Sequence, residues 1–338
     1  MVHRAKAPLR VSFAGGGTDV PPFPEREGGL VLSATINRYA YGSLAPREDD
    51  NIRVESVDFG VEVTYDSDDP LLFDGKLDLV KAAIRKIGQG SGQAGYDLFL
   101  HANAPPGSGL GSSSAVMVTL IGLLTGHHGL ALTDYEIAEL AYTLEREDLG
   151  IKGGHQDQYA ATFGGFNFME FEAEHVIVNP LRIPGDVIHE LEHNMLLAYT
   201  GRTRQGDHII DDQTKRFEGG EAGALEGLRK QKELAIEMKN ALLRRRVEDF
   251  GELLGAAWQF KKQMSPRIST DFIDEAYDEA MKHGALGGKV TGAGGGGYML
   301  FFCPFHLKHR VADRLIAMGA SVDEFEFTFD GLTTWGFE

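Results

Sequence analysis

The densest chemistry in this chain lies in PPGSGLGSSSAVM, residues 105–117. Gly107, Gly109 and Gly111 can take backbone angles closed to other residues, and they let a ligand approach the main chain. The apolar run that follows predicts a helix from 112 to about 127. Its free N-terminal amides and the positive end of its dipole favour an anion. Ser112, Ser113 and Ser114 stand where a hydroxyl caps that helix, binds a phosphate oxygen or ligates a hard cation. The chemistry implied is a phosphate cradle, set against the plainer reading of a tight turn and a capped helix. Two familiar cradles are excluded. Gly111 is followed by Ser112 where G-x-x-x-x-G-K-[ST] needs lysine, and G-x-G-x-G is not the dinucleotide spacing G-x-G-x-x-G.

Two other signatures carry less. HELEH, residues 189–193, fits the H-E-x-x-H of zinc proteases. That motif needs a long helix with both histidines on one face, whereas here it is pinched between PGDV and the strand-like NMLLAYTG. No third ligand follows in a helical context, so we read it as chance at a domain junction. Cys303, in YMLFFCPF, reads as a thiol in a buried strand.

The elements that must position the cradle can be read from periodicity. Glycine is clustered at 14–20 (AGGGTDV), 105–115 and 290–300 (VTGAGGGGYML), each flanked by strand-like or helix-like sequence. Between the first two clusters run short β-like segments: LVLSATI, YAYGSLA, NIRVESV, VEVTY and YDLFLHA. LDLVKAAIRKIGQ has helical spacing. TDYEIAELAYTLERED predicts a helix with Thr133 and Glu136 as its capping box. A second half follows PGDV, with long helices over 223–264 and 270–284 alternating with strands YMLFFC and SVDEFEFTF. LLRRRVED reads as a solvated helix face. The expectation is an α+β fold of two domains, 1–185 and 186–338, with a cleft between them.

Composition narrows the function classes. The chain has 338 residues and a formal net charge of −17, from 33 basic and 50 acidic residues. That argues against nonspecific nucleic-acid binding, which needs a basic face. An anionic ligand must therefore be held by local basic groups or backbone amides. No secretory leader and no apolar stretch of membrane-spanning length is recognised, so neither a membrane nor a nucleic acid is expected as a partner. One cysteine permits no internal disulfide, and the expected compartment is the cytoplasm.

Taken in order, the three clusters resemble the motifs of the GHMP kinase superfamily, which includes galactokinase, homoserine kinase and mevalonate kinase. APLRVSFAGGGTDVPPF resembles the first motif, PPGSGLGSSSA the second and KVTGAGGGGYMLF the third. GGGTD followed by PPF, in place of the galactokinase-type GEHTD, resembles the D-glycero-D-manno-heptose 7-phosphate kinase branch. The resemblance implies a two-domain GHMP kinase fold. It has an N-terminal α/β domain with a left-handed crossover and a C-terminal ferredoxin-like domain.

It also implies a transfer of phosphoryl from ATP, with Mg2+, to a sugar phosphate held between the domains; a homodimer is compatible with it. The nucleotide would lie on Pro106, Gly107, Ser108, Gly109, Leu110, Gly111, Ser112 and Ser113. Ser113 and Glu145 would hold magnesium, with Glu147 as the competitor of Glu145. Asp157, in KGGHQDQYAATFGG, would accept the acceptor hydroxyl's proton or orient that hydroxyl. Arg10 would support Asp157 or the transferring phosphoryl group. Asp19, Gly17, Thr18 and His155 are the expected sugar contacts. Arg202 and Arg204, with Lys261 and Lys262, are candidates for a second anion site. Gly294 to Gly297 would let the backbone pass close to the nucleotide or the opposite loop. A protein that only bound sugar nucleotides would not need Arg10, Glu145 and Asp157 together.

Overall fold

The structure, a computed structural model, describes residues 1–66, 68–88, 95–201 and 206–338. The first half runs β1 (Val2–Ala14), α1 (Phe23–Glu27), β2 (Gly29–Pro46), β3 (Ile52–Ser56), β4 (Val61–Tyr65), α2 (Asp78–Ile87), β5 (Tyr96–Ala102) and α3 (Ser112–His128). It continues through α4 (Asp134–Tyr142), a π-helical turn (Thr143–Asp148), α5 (Gln156–Phe163), β6 (Phe166–Phe171) and β7 (Val176–Pro180). The second half holds α6 (Gly185–Asn194), β8 (Met195–Tyr199), α7 (Asp207–Glu218), α8 (Ala222–Leu243), α9 (Val247–Met264) and α10 (Asp271–Lys282). It ends with β9 (Gly287–Val290), β10 (Tyr298–Phe302), α11 (Phe305–Ala317), β11 (Ser321–Asp323) and β12 (Thr333–Phe337).

The first sheet has the order β12-β1-β2-β5-β3-β4, with β6 and β7 branching from β2. LVLSATI and YAYGSLA, expected as two strands, are one 18-residue strand. Its first part pairs with β6 and its last part with β5, while β1 runs along both. Residues 7–14 of β1 are buried without alternation, the pattern of a strand covered on both faces. Helices α3 and α5 reach it, and so do α8 and α9 of the second half. The expected helix of residues 112–127 forms as α3. Its core-facing residues surround the whole axis, from Ala115 to Leu124, so it is an enclosed helix rather than an amphipathic one. The Thr133–Glu136 capping box is present.

The second sheet is antiparallel, in the order β11-β8-β10-β9. With helices between β8 and β9 and between β10 and β11, this is the ferredoxin-like arrangement. Three expectations change. The segment 186–338 does not stay on its own sheet, because β12 pairs with β1, from Val2 opposite Phe337 to Lys6 opposite Thr333. SVDEFEFTF is a strand only over Ser321–Asp323, with one further bridge from Phe327 to Ile36. The three arginines of LLRRRVED form the turn between α8 and α9, with Arg245 in the left-handed region (φ 60°), rather than a helix face.

The third glycine cluster is the β9–β10 connection, and it docks on the loop of residues 105–111, called the phosphate loop for the role expected of it. Tyr298 N donates to Ser108 O (2.9 Å), and a Cβ on Gly297 would lie 2.3 Å from that same oxygen. Gly292 and Gly109 meet backbone to backbone. Of the two partners expected for these glycines, the structure shows the opposite loop. Gly297→Ala combines that clash with a φ of +84°. We predict a loss of about 2 kcal/mol or more, read as a lowered denaturation midpoint.

Candidate active site

Arg10 leaves β1 fully buried and joins two segments. Its Nε and Nη2 donate to Asp157 Oδ1 (2.8 and 2.6 Å), and its Nη1 donates to Gly109 O (2.6 Å). Its backbone N–H donates to Leu110 O (3.0 Å). The guanidinium thereby fixes the first turn of α5 against the phosphate loop, a geometry that suits arginine's planar fork. Gly111 caps α3 at φ +74°, and a Cβ there would stand 3.4 Å from the Asp157 carboxyl carbon. Glycine at this point serves both the turn and the close approach. The Asp157 side chain keeps about a fifth of its surface open to the cavity (21%).

Glu145 lies on the π-helical turn and is fully buried. The extra residue in such a turn re-aims side chains, and these turns recur at functional sites. Here Glu145 points inward while Glu147, two residues on, is exposed. Its carboxylate accepts from Ser113 Oγ (2.7 Å), Ser114 Oγ (2.6 Å) and Gln158 Nε2 (2.5 Å). Among the described residues it has no basic partner. A buried carboxylate held only by neutral donors, beside the exposed Ser113 hydroxyl, is a donor set that a small hard cation fits. No cluster of three or more metal-binding side chains occurs among the described residues.

Asp19 is buried and works through α5. It accepts from Gly17 N (3.0 Å), Gln156 N (3.1 Å) and Gln156 Nε2, which reaches both carboxylate oxygens at 3.1 Å. Its carboxylate so caps the helix that carries Asp157, where negative charge suits the dipole. His155 and Thr18, expected as sugar contacts, are not in the cavity wall. His155 stacks on Tyr142 at 3.7 Å, its Nδ1 meets Asp19 O, and burial holds its pKa below the usual histidine value. Thr18 spends its hydroxyl on Gly15 O and on both backbone groups of Leu30. Gln156 lines the cavity instead. Nothing in its residue type signalled this, apart from its place beside Asp157.

These groups surround one cavity of about 210 Å³, lined from both halves of the chain. The phosphate loop contributes Gly107, Gly109 and Gly111 to Ser114. Pro106 is exposed and Ser108 and Leu110 are buried, and none of these three is in the cavity wall. The second half contributes Asp207, Gln213, Gly292 and Lys261. Of the proposed second-anion residues, Lys261 points inward. It is buried and donates to Gly292 O (2.6 Å), and burial lowers its pKa to about 8. Lys262 points away, to Asp274 and the Trp258 ring. Arg202 and Arg204 lie outside the described residues. Arg146 and Lys152 also reach the cavity wall, and sequence reading had not singled them out.

HELEH falls on a short helix, the ten-residue α6. His189 is exposed beside Glu192 and His193 packs on Phe305, and no third ligand joins them among the described residues. Burial pushes the Cys303 thiol up to about 12, as befits a core thiol.

Family models for the GHMP kinase N-terminal domain match residues 78–165, and for the GHMP kinase C-terminal domain residues 238–321. The chain is 41% identical to D-glycero-alpha-D-manno-heptose 7-phosphate kinase of Campylobacter jejuni, over 98% of both chains. Its structure matches a D-glycero-D-manno-heptose 1-phosphate kinase from Bacteroides thetaiotaomicron with a TM-score of 0.83, at 35% identity over 99% of each chain. A galactokinase of Lactococcus lactis shares the fold (TM-score 0.78) at 20% identity over 98% of this chain and 95% of the other. The protein belongs to the GHMP kinase family, phosphotransferases that draw on ATP. Within it, the expected resemblance to heptose phosphate kinases is borne out.

The two glutamates of the π-helical turn give a sharp contrast. Glu145→Gln is predicted to lower kcat about a hundredfold. Glu147→Gln, on the exposed side, should leave it within about twofold. ADP release under saturating ATP distinguishes them.

Proposed function

We propose that the protein transfers the γ-phosphoryl group of ATP to the anomeric hydroxyl of D-glycero-D-manno-heptose 7-phosphate, giving the 1,7-bisphosphate. The observation that supports this most is the convergence of Arg10–Asp157 and Ser113–Glu145 on one cavity beside the N-terminus of α3. The substrate reading rests on the Campylobacter relative, the GGGTD variant and the basic Arg146 and Lys152 in the cavity wall.

In this reading the triphosphate lies along the free amides of the α3 N-terminus, between Gly107 and Ser113. The base enters the recess of about 290 Å³ lined by Phe59, Val61, Leu77, Leu79, Leu100 and Val116. Val116 is one helical turn from Ser112, about 6 Å along the axis. Ser113 and Glu145 would hold Mg2+, which when bound neutralises charge on the phosphate oxygens. Asp157 orients the acceptor hydroxyl and receives its proton, at the oxygen that Arg10 leaves free. Arg10 and the α3 amides stabilise charge on the moving phosphoryl group. Loose phosphoryl transfer asks mainly for positioning and electrostatics, and this is what the residues supply. No helix among the described residues is long and apolar enough to cross a membrane. ATP use and a lone reduced thiol suit the cytoplasm.

Asp157→Asn removes the proton acceptor while keeping the shape. It is predicted to lower kcat about a hundredfold or more, with ATP affinity little changed. A near-normal rate would remove Asp157 from the mechanism. For the substrate, ADP release is measured with heptose 7-phosphate, heptose 1-phosphate, mannose, fucose and galactose. Turnover with the 7-phosphate far above the rest is expected. Equal kcat/KM with an unphosphorylated sugar, or a preference for the 1-phosphate, would contradict the assignment.

A further inference from the structure

Around Gly16 three elements bring polar groups to one point. A Cβ built on Gly16 would lie 3.4 Å from Ser12 Oγ, 3.6 Å from Gln156 Nε2 and 3.8 Å from Lys261 Nζ. These are ordinary contact distances, so the bare face of Gly16 leaves room for one small group. Its walls are a hydroxyl from β1, an amide from α5 and an ammonium from α9. All four residues line the cavity, and the three polar ones are at most 9% exposed. Ser12 Oγ and Gln156 Oε1 have no hydrogen-bond partner among the described residues, which buried polar groups seldom lack. The Gln156 amide nitrogen, the atom of that side chain nearest Gly16, is committed to Asp19. The Lys261 ammonium spends one bond on Gly292 O, out of the three it can donate.

We propose that Ser12, Gln156 and Lys261 form a subsite that binds a hydroxyl group of the acceptor sugar and sets acceptor recognition. The hydroxyl oxygen accepts from the Lys261 ammonium, its proton is donated to the unpartnered Ser12 Oγ, and the Gln156 amide bounds the space. A phosphate is the other candidate occupant, and the surroundings disfavour it. The space beside Gly16 holds only one small group, and the Asp19 and Asp157 carboxylates already face the ammonium. Lys261 therefore reads the sugar ring rather than the sugar's own phosphate. This rests on the kinase reading above only in that the acceptor is a polyol.

The charged groups facing Lys261 are Arg10 from β1, Asp19 from the turn after it and Asp157 from α5, with the buried Lys289 of β9 behind. Burial and Arg10 favour loss of the Lys261 proton, and the two carboxylates oppose it. The ammonium is present below about pH 8 and is lost as pH rises through that value.

The test is steady-state kinetics of the intact protein at saturating ATP. D-mannose and D-glycero-D-manno-heptose 7-phosphate, which share ring stereochemistry, serve as acceptors. Lys261→Met is expected to raise acceptor KM about tenfold or more, with KM for ATP within about twofold. Gly16→Ala fills the same space without backbone strain, since Gly16 lies outside the left-handed region. It should raise the same KM at an unchanged melting temperature, which guards against a folding defect at Lys261. Wild-type kcat/KM for the acceptor should fall as pH passes about 8. Lys261→Arg should show no such fall to about pH 9.5. A merely structural lysine would not move that profile. Acceptor KM within about twofold of wild type in both Lys261→Met and Gly16→Ala would overturn the subsite. Turnover of mannose but not of the heptose phosphate would instead overturn the substrate assignment, while the variants still test the subsite on mannose.

Discussion

The fork of Arg10 is the contact on which the site depends. One guanidinium holds Asp157 at the start of α5 and the carbonyl of Gly109 in the phosphate loop. In the proposed mechanism, the group that handles the acceptor and the loop that handles the donor thus share one buried bracket. Phosphoryl transfer gains most from fixed relative placement of its two reactants, and a side chain tethered at both ends provides it. Everything nearby defends this placement. Asp19 caps α5 from the far side, Gly111 lets α3 start within contact of Asp157, and Leu110 O takes the Arg10 backbone N–H.

The second half completes the site rather than merely covering it. Its β9–β10 turn lies against the phosphate loop through Gly292 and Gly297. Two buried lysines lie where the halves meet, and one of them ties the halves together. Lys261 reaches into the cavity and Lys289 donates to Ser12 O at the end of β1 (2.6 Å). Burying an ammonium is costly, and burial lowers the pKa of both. That cost is carried where the two halves meet.

Much of this was legible in the sequence because glycine clusters mark places where backbone must approach backbone or ligand. The three clusters did meet at one cavity, and α3 and the α4 capping box stand where periodicity put them. What stayed hidden depends on local geometry that residue types do not encode. Helical spacing puts Glu145 and Glu147 on opposite faces, but the π-helical turn that carries them has no signal in the sequence. His155 drew attention as a titratable loop residue, yet it stacks on Tyr142, and the neutral Gln156 faces the cavity. The arginine run between α8 and α9 reads as helix until Arg245 takes a positive φ. Strand β12 returns to β1 across the whole chain, a pairing with no local sequence signal. HELEH shows the converse, a motif placed on a helix with no third ligand among the described residues.

The most direct measurement of the Arg10 bracket is a double-mutant cycle on kcat, comparing Arg10→Met, Asp157→Asn and the double variant. If the two side chains act as one unit, the double variant loses little more than the worse single one, with a coupling of about 2 kcal/mol or more. Additive losses, with each change costing as much in the other's absence, would mean that Arg10 and Asp157 act independently and would contradict the account.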